Sequence, residues 1–119
     1  MTGNTLHDKS LLFAVRIVNF YKFLTEQKKE FVISKQILRS GTSIGANIRE
    51  SKNAESSSDY IHKLSIALKE ADETQYWLDV LYMSNIIEET EYTSMNNDAK
   101  ELIALLTTII SKIKNKQNV

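Results

Sequence analysis

One short stretch of the sequence has residue types that could bind a metal ion. In "DYIH", Asp59 and His62 lie three positions apart, close to the Glu-x-x-His motif that carboxylate-bridged metal pairs in helical bundles use twice. The chain has two histidines and no cysteine, so the ligand set is incomplete and thiolate sites are excluded. A helix cap at Asp59 and a surface position for His62 explain the stretch better than a metal site does. Since no phosphate-binding loop or nucleophile motif occurs either, we predict a non-enzymatic protein without a cofactor.

The second chemistry that the residue types allow is contact with phosphate groups. Residues 1–52 carry nine basic and four acidic side chains (+5), residues 53–101 carry three and eleven (−8), and residues 102–119 carry three lysines (+3). Phosphate contacts need accumulated positive charge and no motif. We predict RNA or DNA contacts for Arg16, Lys22, Arg39, Arg49 and Lys52. A solvated basic face stays open as an alternative, as does attraction between basic and acidic parts of neighbouring subunits.

Four helices must position these residues. Apolar residues recur at helical spacing over about 9–29, 34–54, from the "SSSD" segment to 84, and 88–114. Ser34 is the predicted N-cap of the second helix. Asp59 and the serines before it are N-cap candidates for the third helix, and Asn85 is its predicted C-terminal end. A chain of 119 residues without proline favours one domain of uninterrupted helices, residues 1–119. Short connections then predict an all-α fold, an antiparallel up-and-down four-helix bundle.

The amino-terminal residues and the lengths of the apolar runs indicate where in the cell the protein is expected. The first ten residues are polar and lack the apolar core of a signal peptide. No apolar run approaches the roughly 20 residues that a membrane span needs. We therefore expect a soluble, cytoplasmic protein that does not bind membranes.

The second helix contains two glycines, in "RSGTSIGANIRES". Each glycine costs about 1 kcal/mol relative to alanine in a helix. Gly41 and Gly45 share one side, so another backbone is expected to approach them closely, either within the bundle or from a second subunit. Next to the apolar stripe runs a row of mostly small polar residues that predicts a contact surface, with an exposed face as the alternative: Gln36, Ser40, Ser43, Asn47 and Glu50.

Two further features predict self-association. The apolar residues of the first helix extend most of the way around it, which implies burial on more than one side. Ile66, Trp77 and Val80 point away from the core stripe of the third helix, as a second contact surface would, although isolated exposed apolar residues are common. Different surfaces that meet head to tail generate a ring when the rotation closes.

The residues also resemble a known family. "QILRSGTSIGANIRES" resembles the pattern of the four-helix-bundle proteins encoded in 23S ribosomal RNA intervening sequences, and "DYIHKLSIALKEADETQYWL" resembles the third helix of that family. The resemblance covers about residues 11–114. Two positions depart from the pattern, because Gly45 replaces a common proline and Ser51 replaces a glycine. The matching positions of the second helix are Gln36, Arg39, Ser43, Ile44, Asn47, Ile48 and Glu50.

This resemblance implies a homopentameric ring of bundles whose molecular role is not established. The family is similar to the accessory variability proteins of diversity-generating retroelements, which are pentameric barrels that bind nucleic acid and a reverse transcriptase. It therefore implies self-association and, as further partners, RNA, DNA, a ribonucleoprotein or a reverse transcriptase. The alternative is a structural protein–protein adaptor with no nucleic-acid ligand. The Ile66, Trp77 and Val80 surface would then be the docking site.

Overall fold

The structure, a computed structural model, describes residues 5–117, which form four helices and contain no strand. The helices are α1 (Thr5–Glu26), α2 (Ile33–Ser51), α3 (Ser57–Met83) and α4 (Glu89–Gln117). Consecutive helices pack side by side, and α1 closes against α4 more sparsely. The short connections make neighbours antiparallel, in a bundle of 51 × 24 × 23 Å. This confirms the all-helical, four-helix prediction. No helix between residues 5 and 117 is long and apolar enough to cross a membrane.

The core is built from the apolar stripes that the spacing predicts. On α2, Ile37, Ile44 and Ile48 are buried. The stripes of α3 and α4 supply Leu64, Ala67, Ala71, Leu78, Met95, Ala99, Leu102 and Leu106. On α1 only one face is buried within the chain: Leu6, Phe13, Ile17, Phe20 and Leu24. Phe23 packs against this core from its edge, whereas Leu11, Leu12, Val15 and Val18 are exposed.

The two ends of α3 follow the predicted end signals. At the start, Ser56 Oγ accepts a hydrogen bond from the Asp59 amide (3.0 Å), and the Asp59 carboxylate accepts one from the Glu55 amide (3.2 Å). These contacts resemble a capping box. At the other end, Asn85 takes a φ of 61°. The Asn85 amide bonds to the Tyr82 carbonyl and the Ile86 amide to the Leu81 carbonyl, which is the Schellman arrangement.

The start of α2 differs from the prediction. Ser34 lies inside the first turn and is fully buried, so it is not the N-cap. The Glu30 carboxylate takes that role and accepts hydrogen bonds from the amides of Val32 (3.2 Å), Ile33 (3.1 Å) and Ser34 (2.7 Å). A glutamate side chain is long enough to reach these free amides from outside the helix. The carboxylate also lies at the positive end of the helix dipole, which stabilises it there.

Candidate functional site

Both glycines of α2 lie at the contact with α1. A Cβ atom on Gly41 would lie 2.6 Å from Ile17 Cγ1, and one on Gly45 would lie 3.2 Å from the Ser10 carbonyl oxygen. The bare backbone therefore allows α1 to approach α2 closely within one chain, as the packing alternative requires. Contact of the same glycines with a second copy stays a prediction.

The polar row of α2 runs along the junction between α2 and α3. Ser40 is buried, and its hydroxyl accepts a hydrogen bond from Thr74 Oγ1 (2.9 Å). Ser43 Oγ donates to the Arg39 carbonyl, and Asn47 Nδ2 donates to the Ser43 carbonyl. At one end of the row, Glu50 Oε1 lies 3.5 Å from Lys63 Nζ. At the other end, Gln36 is exposed. Contacts within the chain thus account for much of the row.

The apolar residues Ile66, Trp77 and Val80 lie beside this row, on the flank of α3 that faces α2. All three are partly buried, and helical spacing places them on the same flank as Glu70 and Glu73. Trp77 packs against the edge of the core, and its Nε1 donates a hydrogen bond to Glu73 Oε2 (3.0 Å). The two predicted contact surfaces are therefore adjacent. Together they form one face, which we call the α2–α3 face.

Two of the predicted phosphate-binding arginines are engaged by acidic residues of the same chain. Arg39 forms ion pairs with Glu70 (3.0 Å) and with Glu73. Arg16 lies 2.6 Å from Asp98 Oδ2 and also donates hydrogen bonds to Ser94. The basic first half of the chain thus pairs partly with the acidic second half. Glu70 and Glu73 lie three positions apart and therefore on one face of α3. This pair of carboxylates was the sequence signal for a basic partner such as Arg39.

The other three predicted phosphate contacts lie at opposite ends of the bundle. Arg49 and Lys52 are exposed near the end of α2, where Arg49 Nε donates to His7 Nε2 (3.3 Å). Lys22 is exposed near the end of α1. None of the ion pairs within residues 5–117 uses these three side chains. The structure therefore does not bring the five predicted residues into one site.

The side of α1 turned away from the core carries exposed aliphatic residues. Leu11, Leu12, Val15 and Val18 are 38–58% exposed, and we call them the α1 stripe. Next to the stripe, a groove of about 340 Å³ runs between α1 and α2. Small or apolar residues line most of it, among them Ala14, Gly45 and Ala46, and Arg49 lies at one end. Since solvent-exposed apolar patches mark interaction sites, this side is the second candidate surface.

The "DYIH" stretch does not form a ligand cluster. The Asp59 carboxylate accepts a hydrogen bond from the Glu55 amide at the start of α3, and His62 is exposed on α3. Within residues 5–117, no three or more histidine, aspartate or glutamate side chains are grouped so that they could hold a metal ion.

Comparison of the sequence with known protein families shows which family the chain belongs to. The family described as 23S rRNA-intervening sequence protein matches residues 4–108. The chain belongs to this family. No curated protein matches it.

A solved structure supports the assignment of this chain to the 23S rRNA-intervening sequence family. The chain is 61% identical to a protein of unknown function from the S23 ribosomal protein family of Bacteroides thetaiotaomicron. The match covers 89% of this chain and 98% of the relative, with a TM-score of 0.88. The relative therefore shares the fold over nearly its whole length.

In this member of the 23S rRNA-intervening sequence family, the α2–α3 face makes stability depend on pH. The Trp77 hydrogen bond, with a further contribution from Arg39, lowers the pKa of Glu73 below 4.5, although burial opposes the shift. A carboxyl group with a lowered folded pKa adds stability above its unfolded pKa and loses it as pH falls through the folded value.

We therefore expect Glu73→Gln to lower the free energy of unfolding by at most about 1 kcal/mol near neutral pH, because the side chains are partly exposed. The difference from wild type should vanish well below pH 4.5. Urea denaturation at both pH values measures it, with the exposed Glu26→Gln as the control. A difference that persists unchanged in acid would mean that the Glu73 charge is not its source.

Proposed function

We propose that this protein is a non-enzymatic, homo-oligomeric scaffold that binds RNA or DNA through exposed basic side chains of α1 and α2. One observation carries the proposal: these helices and their connection hold exposed basic side chains that no ion pair within residues 5–117 uses. They are Lys22, Lys28, Lys29, Lys35, Arg49 and Lys52. Such side chains can contact phosphates without breaking an ion pair of the fold, although Arg49 would exchange its hydrogen bond to His7 and Lys28 its contact with the Phe23 ring.

Self-association would strengthen binding by repeating these side chains around the assembly. The α1 stripe supports assembly because it is apolar and residues 5–117 leave it largely exposed. The α2–α3 face offers a second, different surface with Trp77 and paired acidic residues. Contact of the stripe of one copy with the α2–α3 face of the next would be head to tail, and such a contact forms a ring when the rotation closes. The resemblance to pentameric accessory variability proteins favours five copies.

The proposal predicts salt-dependent binding of nucleic acid. If four basic side chains contact phosphates, the affinity should fall about 100-fold between 50 and 200 mM salt. Filter binding of labelled RNA and DNA over a salt series measures this dependence. Absence of retention even at the lowest salt would contradict nucleic-acid binding, whatever the oligomeric state.

A protein–protein adaptor without a nucleic-acid ligand is the second candidate. The partly exposed Ile66, Trp77 and Val80 row favours it, since tryptophan is enriched at the centres of interfaces. A partner such as a reverse transcriptase would then remain bound to the tagged protein after nuclease treatment. Trp77→Ala should release that partner, whereas a partner bridged by nucleic acid would be lost on nuclease treatment alone.

A further inference from the structure

The connection between α1 and α2, residues 27–32, has a well-defined backbone. Lys29 takes a positive φ of 55°, and the Glu30 amide bonds to the Leu24 carbonyl (2.9 Å). The Glu30 carboxylate caps the first turn of α2. The connection is thus fastened to the end of one helix and the start of the next.

This geometry holds two apolar side chains in solvent. Phe31 is 55% exposed and Val32 is 73% exposed, while the following residue, Ile33, packs against the core. A large apolar side chain that stays in solvent gains none of the free energy that burial would provide. An aromatic ring held outward on a fixed connection is therefore available to a ligand and needs little ordering to bind it.

Four lysines lie near Phe31 along the chain. Lys28 and Lys29 precede it, and Lys22 and Lys35 flank it near the ends of the two helices. All four are exposed, and none of the ion pairs in the described part of the chain uses them. Two acidic residues lie between positions 22 and 35: Glu30, whose carboxylate binds the helix amides, and the exposed Glu26. The segment therefore keeps a net charge of +2. Lys28 Nζ lies 5.6 Å from the centroid of the Phe23 ring, a contact that leaves its positive charge in place. The charge of this segment is therefore available to an anionic ligand.

We propose that this segment binds single-stranded nucleic acid, with Phe31 stacking on a base and the lysines contacting the flanking phosphates. We call it the loop patch: Lys22, Lys28, Lys29, Phe31, Val32 and Lys35. The inference rests on the proposed function and adds the site and the form of the ligand. Bases in a duplex are stacked on each other, whereas an unpaired base can expose its face to an aromatic side chain.

An anionic membrane is the competing ligand for an apolar, basic tip, and the charge at this end of the bundle disfavours it. The α3–α4 connection lies at the same end, because the helices are antiparallel. Glu88 in this connection and Glu89 at the start of α4 are exposed, as is Met83 at the end of α3. A planar lipid surface would meet both connections together and repel these carboxylates. A flexible strand can follow the basic edge alone.

Three substitutions at Phe31 test the stacking contact in the full-length protein. Fluorescence anisotropy measures the Kd for labelled 12-nucleotide oligo(U), oligo(dT) and a duplex of the same length. We expect Phe31→Leu and Phe31→Ala to weaken single-strand binding about 5-fold or more, and Phe31→Tyr to retain it. The RNA and DNA strands show whether the 2′-hydroxyl contributes. Circular dichroism checks that each variant is folded, as expected for an exposed position.

The lysines are tested by the salt dependence of the same binding. Each loop lysine that contacts a phosphate should reduce the slope of log K against log salt by about 0.7 when it is changed to glutamine. Lys28→Gln with Lys29→Gln is the test pair. The matched control is Lys112→Gln with Lys114→Gln, two exposed residues of α4 near the opposite end, which should leave the slope unchanged.

The outcomes separate this inference from the proposed function. If the wild type binds and Phe31→Leu binds equally well, the stacking site is wrong and the proposed function stands. Tighter binding to duplex than to single strands would also overturn the inference alone. If the wild type binds neither strand nor duplex at low salt, both fail. Binding to phosphatidylserine vesicles that depends on Phe31, with no binding to the oligonucleotides, would assign the loop patch to a membrane.

Discussion

Replacing Gly41 with leucine is expected to lower the free energy of unfolding by about 3 kcal/mol. Even the first added carbon would lie 2.6–2.9 Å from three atoms of Ile17. Ile17 is fully buried and belongs to the core, so it cannot move into solvent. The strain would separate α1 from α2. Urea denaturation followed by circular dichroism measures the loss.

Two alanine variants serve as matched controls for this prediction. Alanine favours a helix over glycine by about 1 kcal/mol, so only a steric clash makes glycine preferable. Gly45→Ala should be nearly neutral, because its Cβ would lie 3.2 Å from a single backbone oxygen and the helix gain offsets this close contact. Gly41→Ala should be clearly worse. Equal effects at both positions would show that the clash with Ile17 does not determine stability.

A double-mutant cycle isolates the contact itself. Ile17→Ala removes all three atoms that would crowd a Cβ on Gly41, and alone it should cost about 2–5 kcal/mol as a core truncation. Combined with Gly41→Ala it should cost less than the two single changes together, because the added methyl group occupies part of the cavity. Additive costs would contradict direct packing between these two positions.

The core and several helix ends were predictable because they depend on local sequence. The spacing of Ile37, Gly41, Ile44 and Ile48 identifies the buried stripe of α2 wherever the other helices lie, since 3.6 residues make a turn. Asn85 ends α3 because asparagine tolerates a positive φ. The start of α2 was not predicted, because Ser34 and Glu30 are both chemically able to cap it. Only the direction of the backbone decides between them.

The candidate site was less predictable because it depends on contacts between distant residues. Arg39 was predicted as a phosphate ligand from its charge, but its carboxylate partners lie 31 and 34 positions away. Helix packing alone brings them together. The glycine spacing was ambiguous for the same reason, since a bare backbone allows any helix to approach. The exposure of Phe31 had only a weak signal in the sequence: an apolar pair flanked by lysines between two helices.

Val15→Glu is expected to prevent self-association without unfolding the chain. Val15 is 53% exposed within one chain, so a glutamate there should change the free energy of unfolding by no more than about 0.5 kcal/mol. In an assembly through the α1 stripe, the same carboxylate would be buried among apolar groups without a partner. Such burial costs several kcal/mol, so association should weaken about 100-fold or more. Gel filtration with light scattering over a concentration series measures the mass.

The control must add the same charge to a helix surface outside both candidate contact surfaces. Thr107→Glu on α4 meets this condition, because Thr107 is exposed and lies on neither the α1 stripe nor the α2–α3 face. The wild type and this control should elute at about five times the chain mass if the ring implied by the resemblance forms, and Val15→Glu should elute as a monomer. A Val15→Glu variant that assembles like the wild type would remove the stripe from the interface. A monomeric wild type would contradict the ring itself. The exposed aliphatic side chains of the α1 stripe would then stay in solvent rather than contact a second copy.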